Sequence, residues 1–176
     1  MIRLVHYSDA PVLSVHDTEQ SPELRPCGKP WGLWVSADDH EDNWRDWCLS
    51  ERFGLERLTH VHDVELVPGA LGRSVLRLDG AADLDRFTRE FARTDPGYSA
   101  LGILDRGCCM DWHAVAERWD GILIAPYVWE RRLHEGAGWY YGWDAASGCI
   151  WHARAVASIR LPEVVPVPQP EPADEA

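Results

Sequence analysis

The chain has almost no lysine. Lys29 stands alone among 17 basic residues, and the rest are arginine. Against 29 acidic residues this leaves a formal charge of −12. So acidic a balance argues against an extended nucleic-acid surface, because neutralising a phosphate backbone needs clustered cations. A small basic pocket remains compatible with it. Long apolar runs are also missing: no stretch approaches the ~18 residues that a membrane-spanning helix needs. The first residues, MIRLVH, lack the basic segment and long apolar stretch of a secretory leader. The expectation is a soluble, cytoplasmic protein without membrane contact.

Cysteine is sparse and unpaired in pattern. Five are present, with no Cys-x-x-Cys. The odd number and the absence of a leader point to reduced thiols and away from a zinc site built mainly from cysteine. No G-x-x-x-x-G-K-[ST] and no G-x-G-x-x-G occurs, so P-loop and Rossmann sites are not indicated. His60-Val61-His62-Asp63 places two imidazoles on one face of a strand. A metal there would need a third ligand from His113, Cys108 or an acid. His-x-His is common by chance, and no metal is expected. For Cys–His nucleophilic catalysis, nothing in the local sequence selects a pair.

What is present is a core. The 176 residues are 45% apolar, which suits one domain of ordinary size. Ten tryptophans are a surplus. Most belong in the interior, since each ring covers a large area, and one or two remain for a planar-ligand site. Periodicity predicts strands over 2–7, 31–36, 61–67, 74–78, 122–125, 149–151 and 155–161. It predicts a helix capped by Asn43, with Trp44, Trp47, Cys48 and Leu49 inward. A second, amphipathic helix spans 82–93 on Leu84, Phe87 and Phe91, stopped by Asp95-Pro96-Gly97. A short third helix follows Asp111, with Trp112, Val115, Ala116 and Trp119 inward. Residues 12–30 read as a long loop, and 96–109 as irregular and glycine-rich. Residues 126–148 read as an aromatic loop. The expected class is α+β, a mixed or antiparallel sheet with inserted helices, in one domain over 1–161. The proline-rich acidic segment 162–176 is expected to be disordered or extended.

Two stretches carry a possible chemistry. His6-Tyr7-Ser8 ends the first strand, and Gly28-Lys29 precedes Gly32-Leu33-Trp34-Val35-Ser36 in the second. Together they resemble the two N-terminal motifs of the ADP-ribosyltransferase superfamily, in its diphtheria-toxin and poly(ADP-ribose) polymerase branch. The resemblance covers about 30 residues directly. It implies an ADP-ribosyltransferase-like fold that binds NAD as a substrate and passes ADP-ribose to a macromolecular acceptor, protein or nucleic acid. His6 would hold the nicotinamide ribose. Trp34 or Tyr7 would stack on the nicotinamide. Ser8, Gly32 and Ser36 would complete the pocket, with Gly32 allowing the backbone close to the ligand. Cleaving the glycosidic C–N bond passes through an oxocarbenium-like state that a carboxylate stabilises.

The chain departs from that pattern in two places. No Glu opens the strand at Cys149, so the acid would be Asp144 or Glu130. Tyr7 stands where a small residue is usual. The chain is also similar to a group of phage and bacterial proteins sharing an early His-Tyr-Ser and a late Trp-Asp-x-Ala-Ser-Gly-Cys-Ile-Trp, here residues 143–151, but that group names no function. Each site residue has a plainer reading. His6 can be satisfied by backbone, Trp34 can be core, Asp144 can form an Asx turn, and Glu130-Arg131-Arg132 can be a solvated cluster. The competing function is an accessory protein that binds another protein through the aromatic loop 126–148.

Overall fold

The structure, a computed structural model, describes residues 2–94, 108–134 and 136–164. Seven strands form its main sheet: β1 (Leu4–Ser8), β2 (Leu33–Ala37), β3 (His60–Leu66), β4 (Val75–Leu78), β7 (Gly121–Ile124), β8 (Ser147–Ile150) and β9 (Val156–Val164). Two short strands, β5 (Ala92–Arg93) and β6 (Cys109–Met110), pair separately. The main sheet runs β4-β7-β8-β2-β1-β3-β9. Every neighbouring pair is antiparallel except β4 with β7. A parallel pair needs a crossover, and among the described residues between β4 and β7 are the helices α2 (Ala81–Phe91) and α3 (Trp112–Ala116). A further helix, α1 (Trp44–Glu51), lies between β2 and β3. The class is mixed α+β with a mostly antiparallel sheet. Among the described residues no helix is long and apolar enough to cross a membrane.

The inner strands β7 (GILI) and β8 (SGCI) are buried at every position. They lack the alternation of a half-exposed strand because both of their faces are covered. Helix α2 buries Leu84, Phe87 and Phe91, one stripe of a 3.6-residue period. Phe87 meets the rings of Trp112 and Trp139 at 6.1 and 5.4 Å. Trp139 and Trp143 continue this aromatic packing at 6.0 Å. Much of the 126–148 segment is therefore interior: Tyr127, Trp139, Tyr140 and Trp143 are buried. Trp129 and Tyr141, each 54% exposed, are its aromatic surface.

Three expectations are adjusted by packing. Helix α2 ends at Phe91, because Ala92 turns extended and Ala92–Arg93 pair with β6. In α1 only Cys48 is buried; Trp44 and Trp47 instead stack on each other at 5.0 Å near the surface, with Phe53 against them. Strand β9 runs on to Val164, into the proline-rich segment. The expected helix stop at Asp95-Pro96-Gly97 and most of the stretch 96–109 lie outside the described residues, as does 165–176.

A buried acid fixes the far end of β7. Asp120 is 5% exposed. Its Oδ1 accepts hydrogen bonds from Arg154 Nε and Nη2 at 2.9 and 2.6 Å, and lies 2.9 Å from His152 Nδ1. Burial alone would raise the Asp120 pKa, but the bonds from Arg154, His152 and Ser74 outweigh it, and the net direction is down from 3.8. A lowered carboxylate pKa stabilises the fold above the unfolded value and loses that contribution as pH falls through the folded one. Asp120→Asn is expected to cost about 1.5–3 kcal/mol at neutral pH, the range for hydrogen bonds to a charged group. Urea titration checks it, and the gap from the parent chain should close below pH ~3.8.

Candidate functional site

The two central strands part company halfway along. β1 pairs with β3 through all five of its residues, and β2 pairs with β8 over four. Between β1 and β2 only Leu4–Ala37 and Val5–Ser36 are in register. Beyond that point the Trp34 carbonyl would lack a ladder partner, which a covered backbone group does not tolerate. The His6 ring fills the role, with Nδ1 2.7 Å from Trp34 O. A carbonyl only accepts, so the Nδ1 carries the proton and Nε2 is left as an acceptor.

At this fork lies a cavity of about 340 Å³, within the ordinary size of small-molecule sites. Its floor comes from β1 and β2, with His6, Tyr7, Trp34 and Ser36. Asp144, from the loop before β8, and Lys29, from the loop before β2, close one side. Trp44 of α1 and Arg57 of the turn Leu55–Leu58 also contribute.

Each wall has a physical reason to be where it is. Trp34 is half-buried and packs on the core indole of Trp143, with centroids 4.8 Å apart. It is the cavity-side end of the aromatic packing that starts at Phe87. Lys29 Nζ lies over the Trp34 ring at 5.3 Å, a cation–π arrangement. The same ammonium is 3.8 Å from Asp144 Oδ2, and Arg132 Nη2 is 3.2 Å from Asp144 Oδ1. Asp144, with its side chain 18% exposed, thus sits between two cations. Ser36 Oγ accepts the amide N–H of Trp44 at 3.0 Å, which ties the start of α1 to β2. Asn43 caps α1, accepting from Asp46 N at 2.9 Å. Tyr7 donates to both oxygens of Asp38 at 2.9 and 2.8 Å. Burial, and then the Asp38 charge, push its phenol well above its usual range, so Tyr7 serves as a fixed neutral donor.

Burial lowers the His6 pKa, and His62 adds to that; the bond to Trp34 O opposes it without reversing it. A lowered histidine pKa means that the folded state favours the neutral ring. Its contribution to stability is complete above the unfolded value, near 6.5, and is lost as pH falls through the lower folded value. A ligand hydroxyl that donates to Nε2 needs that same neutral ring. We expect ligand affinity at this cavity to hold at pH 6.5, the ordinary histidine midpoint, and to fall only on further acidification. Calorimetric titration across that range is the check.

Five of the residues singled out from the sequence, His6, Tyr7, Trp34, Ser36 and Asp144, line one cavity. Three others do not. Ser8 donates to Ala10 O at 2.6 Å in the turn after β1. Glu130, its side chain 67% exposed, lies on a surface turn. Gly32 has φ +148°, and a Cβ there would stand 2.4 Å from Ile150 O. Its close backbone approach is to β8, and the absence of a side chain serves sheet packing.

Arg57, Trp44 and a role for Lys29 were not foreseen. The solitary lysine in Gly28-Lys29 was a usable signal, whereas the local pattern that announces α1 does not show that Trp44 borders this cavity, and Arg57 comes from a turn with no pattern of its own.

The His60–His62 pair does not read as a metal site. His62 is fully buried, its Nε2 accepts Val12 N–H at 2.9 Å, and its Nδ1 faces His6 O at 3.2 Å. Both nitrogens are engaged. Among the described residues no group of three or more His, Cys, Asp or Glu is placed to hold a metal. The chain matches no protein-family model, no curated protein and no solved structure.

Proposed function

We propose that this cavity binds NAD and that the protein is an ADP-ribosyltransferase-like enzyme, with a fold of that kind, acting on a macromolecular acceptor. The observation that supports the reading is convergence. His6, Trp34 and Asp144 are far apart in sequence, suit complementary roles in one reaction, and line the same cavity. In this scheme Trp34 stacks on the nicotinamide, and neutral His6 accepts a ribose hydroxyl at Nε2. The Asp144 carboxylate faces the anomeric carbon as positive charge develops there. Lys29 and Arg132 orient Asp144, and at the same time weaken its field. Strong NAD binding with slow turnover is the consequence. The test is release of nicotinamide from NAD by the intact chain, followed by chromatography. Release that depends on Asp144 supports the reading. Binding without any release reduces it to a nucleotide-binding relative, and absence of both removes it.

A second reading has its own observation. Trp129, Leu133 and Tyr141 are 54%, 82% and 54% exposed around one shallow groove, the kind of apolar surface that marks a protein interface. A partner whose binding is lost in Trp129→Ala and indifferent to NAD would favour it.

A further inference from the structure

Lys29 is the only lysine in the chain, and it is built into the cavity. Its Cε lies 3.5 Å from where a Cβ on Gly142 would stand, so the end of the stem lies beside that residue. Its ammonium sits 5.3 Å over the Trp34 ring and 3.8 Å from a carboxylate. A lysine needed only for charge is readily replaced by arginine, the residue this chain uses at every other basic position. What lysine has and arginine lacks is an amine that can lose its proton and act as a nucleophile. The side chain is 39% exposed, and its partial burial lowers the Lys29 pKa from its ordinary 10.5, against the pull of Asp144.

From this placement we infer that Lys29 is a carbonyl-capturing amine, and that the cavity forms an imine with a small aldehyde carrying a phosphate. Arg57, the other cation lining the cavity, supplies the phosphate contact, and Trp34 supplies a flat wall. The Nζ lone pair adds to the carbonyl carbon, and the oxygen takes up a proton to give a carbinolamine. Asp144 is placed to accept a proton from Nζ and return it to the departing hydroxyl. Water leaves, a C=N bond replaces C=O, and nothing is oxidised or reduced. The inference goes beyond NAD chemistry and does not need NAD to be cleaved.

The experiment uses pyridoxal 5′-phosphate as the aldehyde probe, with cyanoborohydride to reduce the imine, on the full chain at neutral pH. Only two amines can be labelled, Lys29 and the α-amino group, and peptide mapping separates them. The α-amino group is an internal reference, since its pKa of about 8 makes it much the faster of the two for an ordinary lysine. Expected is faster labelling of Lys29 in the folded chain than in the urea-unfolded chain, each measured against the α-amino group. Slower labelling with pyridoxal, which lacks the phosphate, is also expected, as is a fall in Asp144→Asn. Label confined to the α-amino group, or Lys29 labelled equally in folded and unfolded chains, overturns the inference. Indifference to the phosphate overturns the ligand class. An unchanged NAD response alongside any of these leaves the two readings separable.

Discussion

Gly148→Ala is expected to destabilise the protein by about 3 kcal/mol or more, at or beyond the upper end for overpacked interiors. A Cβ at Gly148 would lie 2.3 Å from Ile122 O and 3.0 Å from Leu123 Cα. Both are backbone atoms, so no rotamer change relieves the clash. Nor can β8 slide away. Gly148 is in register with Val35 of β2 on one side and Leu123 of β7 on the other. Moving it breaks one ladder or the other, and the β2 side is the cavity floor. Gly80→Ala is the control. Nothing lies within 4 Å of a Cβ there, and the backbone at φ 173° is extended, so a change within ~0.5 kcal/mol is expected. Urea denaturation of the two variants measures the difference. Equal stabilities would mean that β8 is not clasped between β2 and β7.

Asp144→Asn and Trp34→Ala are expected to fail in different ways. Asparagine keeps the shape of Asp144 and removes the charge. If the carboxylate stabilises an oxocarbenium-like state, nicotinamide release falls by about 10²–10³-fold, the usual cost of deleting one preorganised electrostatic contact. NAD binding should survive, because asparagine keeps the shape of the wall and the two cations that line the cavity, Lys29 and Arg57, remain to meet phosphate. Trp34→Ala removes the stacking plane, worth about 1–3 kcal/mol per base, so Kd rises roughly tenfold or more. Single-turnover kinetics with an independent Kd separates the two. A Trp34 variant that binds normally would make that indole core packing only, an extension of Trp143.

Much of the fold was legible because its signals are local. The stripe Leu84, Phe87, Phe91 announces α2, and Asn43 before Trp44 announces α1. The cavity lining was partly legible because His6-Tyr7-Ser8 and Gly32-Leu33-Trp34-Val35-Ser36 are short local patterns, which pairing then brings onto neighbouring strands. What sequence did not reveal is the fork between β1 and β2, since pairing that stops after Val5–Ser36 has no residue signature. That fork makes the cavity. Gly32 shows the converse difficulty. Its need for a close approach was readable, but whether the approaching group is a ligand or Ile150 O depends on which strand lies beside it. Tryptophan counts were similarly ambiguous. Trp139, Trp143 and Trp151 are at most 1% exposed, while Trp44 and Trp47 cover each other on a helix that has little core to face. Glu130 and Asp144 flank the same loop, and only the turn at Trp129–Arg131 sends Glu130 outward.

The NAD pocket proposed above joins His6, Trp34 and Asp144. Its most direct test is thermal melting of the intact chain with and without saturating NAD, repeated on His6→Ala and Trp34→Ala. A ligand that binds only the folded state raises the midpoint, by about 2.7 kcal/mol of stabilisation at a hundredfold excess over Kd. A clear rise in the parent chain that both variants lose is expected. No rise in the parent chain, or a rise that both variants keep, would contradict it.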